Sequence, residues 1–444
     1  MQYLKKPGFI ISALGLTVLA AAFIHWCIAA GRAPLYIFSA FLSAALFAAV
    51  CLRFVPHWIC FWQEREEKLS EEKRGQGTVC LGIFVFSLCF CFFTLVLAWL
   101  IKLCTGWQGS LGDSMGIWLN LDSRHYLDIS RDWYLSEGDW DRLVQLVFFP
   151  AYPLAVRLFA LICGNYLAAG FFVSAACFGL ACVLLYKLLL LDMSSAAALR
   201  ALRCLWLMPG AFFFAAPMSE SMFLALSLGC IYLVRRGRWL SGCLLGALAG
   251  FTRSVGIVLL VPVLFELVHA RPKGRELLKS LVCMAIIPLG LAAYCLINYT
   301  VSGDAFKFMD YQSVHWGQKT GWFFNTAAYQ LECAVSYWQS GNAKVALGLW
   351  CANLISCFGA LVIMLFAVRK LRASYGAYFL CYFIAAIGAT WLLSAPRYMT
   401  VMFPLPAALS LLSEKRGAEA LLMALMSMAA FAYLCAFVLG CQVW

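Results

Sequence analysis

The residues best suited to chemistry sit where long apolar runs are interrupted. The stretch Trp118-Leu-Asn-Leu-Asp122-Ser-Arg124-His125-Tyr126 follows one such run and sets a carboxylate beside an imidazole and a guanidinium. A carboxylate so placed can take the proton from an acceptor hydroxyl. The same spacing also fits a solvated loop acid or a helix N-cap. In Ala216-Pro217-Met-Ser219-Glu220-Ser221, a second carboxylate lies between two apolar segments. So deep in apolar sequence, it must face a polar cavity or a partner, or else open the next helix as part of its cap. Thr252-Arg253-Ser254 and Ser394-Ala-Pro396-Arg397-Tyr398 each carry an arginine at an apolar boundary. Such a guanidinium can clamp an anionic phosphate or snorkel to lipid headgroups. Finally, Gly303-Asp304-Ala-Phe306 leads to Gln312-Ser-Val-His315-Trp316-Gly317. Those amide and aromatic groups suit a sugar, although an interfacial aromatic belt has the same composition.

The elements that must position these groups follow from composition. Of the 444 residues, 64% are hydrophobic and only 12% charged, far from the balance of a soluble globular chain. Each crossing of a bilayer needs roughly 20 apolar residues, and only helices or closed barrels satisfy their backbone groups there. The apolar runs are continuous, as over 81–101, rather than alternating with period two, which predicts an all-α polytopic membrane protein. Segments near 8–30, 35–62, 78–103, 166–190, 200–217, 220–234, 239–254, 255–269, 281–299, 345–368, 374–394, 396–412 and 418–440 predict about 13 transmembrane helices. The formal charge of +12 is spread over short loops, with no basic face or stacking module for nucleic acid. Many of the 21 cysteines, such as Cys89, Cys91, Cys177, Cys182, Cys230 and Cys243, lie inside apolar runs and read as small hydrophobes.

Basic loops mark the cytoplasmic side. Lys5 and Lys6 precede an apolar run with no small-residue cleavage site, so the first helix is read as retained, with its N-terminus inside. The polar stretch 64–73 then falls inside, and the third helix exits into a long outside loop at 104–150. Segment 148–163, with two prolines and Arg157, is read as interfacial or re-entrant rather than spanning. With that choice the basic loops at 187–203, 235–238, 271–279, 369–372 and 415–416 all lie inside, as ordinary topology signals. The polar clusters from Trp118 to Tyr398 then share the outside. Residues 1–76 form two extra N-terminal helices and a charged cytoplasmic loop, and 77–444 form the main membrane domain.

The ordered set of motifs is similar to the PIG-V-type mannosyltransferases, the GPI-anchor enzymes that add the second mannose, and their bacterial relatives. It comprises Asp122-Ser-Arg-His-Tyr126, Phe148-Phe-Pro-Ala-Tyr-Pro153, Ala216-Pro-Met-Ser-Glu-Ser-Met-Phe223, Arg235-Arg-Gly-Arg-Trp239, Thr252-Arg-Ser-Val-Gly256, Gly303-Asp-Ala-Phe306, Gln312-Ser-Val-His-Trp-Gly317 and Ser394-Ala-Pro-Arg-Tyr398. The resemblance runs from about Trp118 to Pro404. It implies a GT-C-type glycosyltransferase fold with a large extracytoplasmic first catalytic loop. It also implies a polyprenyl- or dolichyl-phosphate sugar as donor, typically mannose, and inversion at the anomeric carbon. Asp122 matches the family's essential first-loop acid, cast as catalytic base, and Glu220 matches its second acidic position. Charge and sidedness suggest that Arg253 and Arg397 hold the lipid phosphate. Arg124, His125, Tyr126, Gln312, His315, Trp316 and Tyr398 are read as lining the sugar or acceptor site.

The implied partners are the lipid-phosphate sugar, a glycolipid or glycan acceptor and membrane lipids. No nucleotide fold or Gly-rich phosphate loop is needed when the sugar is already activated on a lipid. A divalent metal can be accommodated near the acids, though no ligand spacing demands one. Without a C-terminal retrieval signal, the reading leans to a bacterial plasma membrane with the site facing outside, or the ER membrane if eukaryotic. The rival reading is a multi-pass transporter or flippase, which would favour paired repeats and mid-membrane charges; neither is evident.

Overall fold

The computed structural model describes residues 5–63, 76–134 and 144–443; among them helices joined by turns and loops form the regular structure, with one isolated bridge between Thr320 and Ala389. The charged stretch 64–73 lies outside the described residues. In chain order the helices are α1 (Lys5–Ala30), α2 (Pro34–Gln63), α3 (Gln76–Cys104), α4 (Leu111–Ser114), α5 (Ser123–Asp132), α6 (Ala151–Cys163) and α7 (Tyr166–Leu189). They continue with α8 (Ser195–Trp206), α9 (Glu220–Arg235), α10 (Trp239–Thr252), α11 (Leu260–Ala270), α12 (Gly274–Met284), α13 (Ile287–Ser302) and α14 (Lys307–Trp316). The last are α15 (Phe323–Gln339), α16 (Ala352–Ala367), α17 (Ala373–Ile387), α18 (Ala395–Thr400), α19 (Pro404–Leu412) and α20 (Arg416–Val438).

Among the described residues, seven helices are long and apolar enough to cross a membrane. They are α1, α2, α3, α7, the continuous α12–α13 rod, α16 with the turns before it, and α20. The other expected crossings fall on shorter pieces, because the backbone breaks inside apolar sequence. Segment 200–217 ends its helix at Trp206 and continues as turns, and 374–394 leaves helical geometry after Ile387. At 1.5 Å rise per residue, the 13 residues of α6 reach only roughly 20 Å, short of a full hydrocarbon core.

Helix α9 is the centre of the bundle, packed between α7 and α10, and nearly all of its residues are buried. In lipid, helices associate through close packing rather than hydrophobic drive, so small residues mark the tight crossings. Gly290 of α13 is such a point: a Cβ there would sit 1.8 Å from the Ala247 carbonyl oxygen of α10. Of the 21 cysteines, Cys91, Cys182, Cys230 and Cys243 are buried, whereas Cys89 is exposed and Cys177 only half-buried.

The basic loops do more than mark topology. Arg235 at the end of α9 donates to Asp192 at 2.8 Å, and its other amino group donates to the Tyr375 hydroxyl at 2.6 Å. Arg372 grips both oxygens of Glu266 at 2.8 and 2.7 Å and approaches Asp192 at 3.6 Å. Two carboxylates and two guanidiniums thus neutralise one another where α7, α9, α11 and α17 meet. The first two helices dock on this knot and beside it. Phe61 of α2 lies under the Arg372 guanidinium at 4.8 Å and stacks on His269 at 4.1 Å. At the other end of the hairpin, Trp26 donates to Asn325 at 3.1 Å, and Arg32 pairs with Glu332 of α15.

Candidate active site

Each side chain of the site is delivered by a break in a helix. Asp122 occupies the N-cap position of α5, directly after Leu121, whose φ of 58° lies in the left-handed region. A non-glycine residue there costs roughly 1–2 kcal/mol, and the turn persists because Trp118 and Tyr126 are buried on either side of it. Helix α5 is amphipathic. Ser123, Tyr126, Ile129 and Ser130 face inward, whereas Arg124 is exposed and takes no part in the described ion pairs.

Glu220 is the first residue of α9, and the irregular backbone before it is buried. Ser219 holds the cap position but makes no capping bond. Its hydroxyl instead meets the Tyr126 hydroxyl at 2.9 Å and accepts from Arg253 at 3.3 Å. Arg253 stands in extended geometry between α10 and the turn at Ser254–Leu259. Gly256 permits that reversal, since a Cβ there would lie 2.4 Å from the Gly250 nitrogen.

Arg397 is carried by the six-residue α18. Side chains on α15 and α16 satisfy the broken backbone before it. Thr326 donates to the Ile387 carbonyl at 2.7 Å, Tyr329 accepts from the Leu392 amide, and Asn353 accepts from the Ala395 amide at 2.8 Å. Irregular backbone at membrane depth is tolerated only with such internal partners.

The four charges converge. Arg397 donates through Nη2 to Asp122 Oδ2 at 2.7 Å and to Glu220 Oε1 at 2.6 Å, with its Nε 3.1 Å from the same Glu220 oxygen. Arg253 Nη1 donates to Glu220 Oε1 at 2.7 Å. Glu220 is 1% exposed, and its Oε2 is buried without a hydrogen-bond partner among the described residues. The Asp122 side chain keeps 30% of its surface accessible. Aromatic rings floor the cluster: Phe213 lies under Arg397 and Tyr398 under Arg253, each at 5.2 Å. Burial pushes the Tyr126 hydroxyl well above its ordinary range, against the pull of Arg253, so it stays a neutral hydrogen-bonding group.

Such a cluster can neutralise an anion through two guanidiniums and accept a proton at the partly open carboxylate. A family model described as mannosyltransferase (PIG-V) matches residues 105–403, and every charged member of the cluster lies within that span. The chain belongs to the PIG-V mannosyltransferase family. It is therefore a glycosyltransferase of the membrane. No curated protein and no solved structure matches it significantly.

In this mannosyltransferase the remaining expected residues form a separate aromatic rim. His125 stacks on Phe148 at 4.7 Å, Trp316 meets Phe148 edge-on at 6.0 Å, and His315 meets Trp316 at 6.3 Å. The Tyr134 and Tyr294 hydroxyls hold this rim by donating to the Phe148 and Leu146 carbonyls. Tyr126 joins rim to cluster through its edge-on contact with Phe148 at 5.3 Å. Gln312 is turned to Gln318 at 2.9 Å rather than to the ion pairs. Among the described residues, no three His, Cys, Asp or Glu side chains converge as metal ligands would. Phe213 and Asn353 were not legible as site residues, since each looks like an ordinary residue of the apolar runs 200–217 and 345–368; Tyr329 falls in the stretch 300–344, read from sequence as an outside loop, where the structure forms α15.

Proposed function

We propose that the protein transfers mannose from polyprenyl-phosphate mannose to a hydroxyl of a glycolipid or glycan, with inversion, at the extracytoplasmic face of a bacterial plasma membrane and on a GT-C-type fold. The observation that carries this reading is the convergence of a partly open carboxylate, Asp122, with two guanidiniums that share the buried Glu220. In direct displacement, the acceptor oxygen bonds to the anomeric carbon as the bond from that carbon to the phosphate oxygen breaks. The electron pair stays on the lipid phosphate beside Arg253 and Arg397, and the acceptor proton goes to Asp122. The aromatic rim of His125, Phe148 and Trp316 offers ring faces to the sugar or acceptor.

An apolar groove between α3 and α7 supports a lipid-borne donor. It encloses about 540 Å³ lined by Leu88, Phe92, Leu95, Phe171 and Phe172, and it touches Ala215, two residues from the Phe213 ring under Arg397. The test is transfer from radiolabelled polyprenyl-phosphate mannose in membranes carrying the wild type or Asp122→Asn at equal abundance. Loss of transfer in the variant alone is expected. Full transfer by Asp122→Asn would remove Asp122 as the base, and no transfer by the wild type would count against this donor.

A further inference from the structure

The four clustered charges sum to zero: Asp122 and Glu220 against Arg253 and Arg397. A phosphodiester brings one more negative charge to a site where Glu220 and Arg397 are 1% and 4% exposed. A buried charge without a partner is strongly unfavourable, so one carboxylate must yield its guanidinium. The two are held very differently. A single oxygen of Glu220 accepts contacts at 2.7, 2.6 and 3.1 Å from two guanidiniums, and solvent does not reach it. Among the described residues the Asp122 side chain has one hydrogen-bond contact, at 2.7 Å; it keeps 30% of its surface and follows the left-handed Leu121.

We infer that the Asp122–Arg397 pair is an exchangeable latch: the donor phosphate takes the place of Asp122 on Arg397, and the carboxylate so released becomes the base. This rests on the lipid-phosphate donor proposed above. Glu220 is the positioning residue, keeping Arg253 and Arg397 side by side before and after the exchange. In the donor-free protein the Asp122 carboxylate is held by Arg397 at 2.7 Å, so it is released to meet an acceptor hydroxyl only once the donor is seated. Charge then balances through the reaction. The leaving phosphate gains one negative charge as Asp122 gains the proton, and the site total is unchanged.

The test uses the full chain purified in a maltoside detergent, with farnesyl methyl phosphodiester as a singly charged probe and farnesol as its neutral control. Because the wild type must give up an ion pair to bind the anion, Asp122→Asn is expected to bind the phosphodiester about tenfold more tightly while losing mannosyl transfer. Glu220→Gln removes the same charge but leaves the Asp122–Arg397 pair in place, so it is expected to bind the phosphodiester without that tenfold gain. A merely structural role for both acids would weaken both variants alike. Asp122→Ser is measured in parallel, and melting curves verify folding, so that one unfolded variant does not decide the matter. Unchanged or weaker binding by the folded Asp122 variants overturns the latch. If the phosphodiester binds no better than farnesol to any of the proteins, the phosphate-donor reading falls, and the latch with it.

Discussion

Two guanidiniums share one oxygen of Glu220, so removing that side chain leaves like charges facing each other in a buried site. Breaking a buried pair by deleting one partner costs about 3–5 kcal/mol. Glu220→Ala is therefore expected to lower stability by about that amount, read as earlier thermal unfolding in detergent, and to reduce transfer at least a hundredfold. Normal stability with low activity would mean that Glu220 acts on substrate rather than on the arginines. At this scale much of the site was legible. Asp122, Glu220, Arg253 and Arg397 announce themselves because a charge amid apolar sequence must find a counterpart. What spacing does not encode is which counterpart: in the structure the arginines meet the two acids. Where Arg124 points was not legible, because motif membership says nothing of direction. On α5 it falls off the face defined by Ser123, Tyr126 and Ile129.

Breaks rather than helices carry the chemistry at the next scale. The reversal after Arg253 depends on Gly256, which has no room for a Cβ beside the Gly250 nitrogen at 2.4 Å. Gly256→Ala is expected to shift Arg253 and cost about 1–3 kcal/mol through overpacking, seen as a lower melting temperature together with a raised KM for the donor. A fall in stability with KM unchanged would separate this turn from donor binding. The apolar runs over 200–217 and 374–394 read as uninterrupted spans because hydropathy sums apolar content and is blind to the hydrogen-bond ladder. The interruptions are written elsewhere: in Pro209-Gly210, just past Trp206, and, for 374–394, in the polar side chains Thr326, Tyr329 and Asn353 that answer the freed backbone groups. In segment 148–163 two prolines and an arginine argue against a lipid-exposed span, and the helix there has 13 residues.

For the whole molecule, composition pointed to a membrane protein, and apolar runs that are continuous rather than alternating chose helices over a closed barrel. The placing of α1 and α2 was not legible: their sequence is generic membrane helix, and their partners lie about as far away as Glu332 from Arg32, 300 residues on. Docked through Phe61, Trp26 and Arg32, they cover Phe323 and Phe324 of α15. Deleting residues 1–75 is expected to lower the melting temperature by several degrees and to leave Asp122-dependent transfer measurable in the surviving folded fraction. If stability were untouched, the hairpin would be an appendage rather than part of the bundle.

The knot of Asp192, Arg235, Glu266 and Arg372 also imposes a timetable on synthesis. Asp192 meets Arg235 after only 43 residues, but the partner that grips both oxygens of Glu266 is translated 106 residues later. At about 5–20 residues per second, that carboxylate waits on the order of 5–20 s inside an apolar helix for Arg372 to emerge. Until α17 is delivered, α11 holds a charge that lipid disfavours. A nascent chain stalled in that interval carries Glu266 without the guanidinium that grips it, the kind of flaw by which membrane quality control can tell an unfinished protein from a finished one.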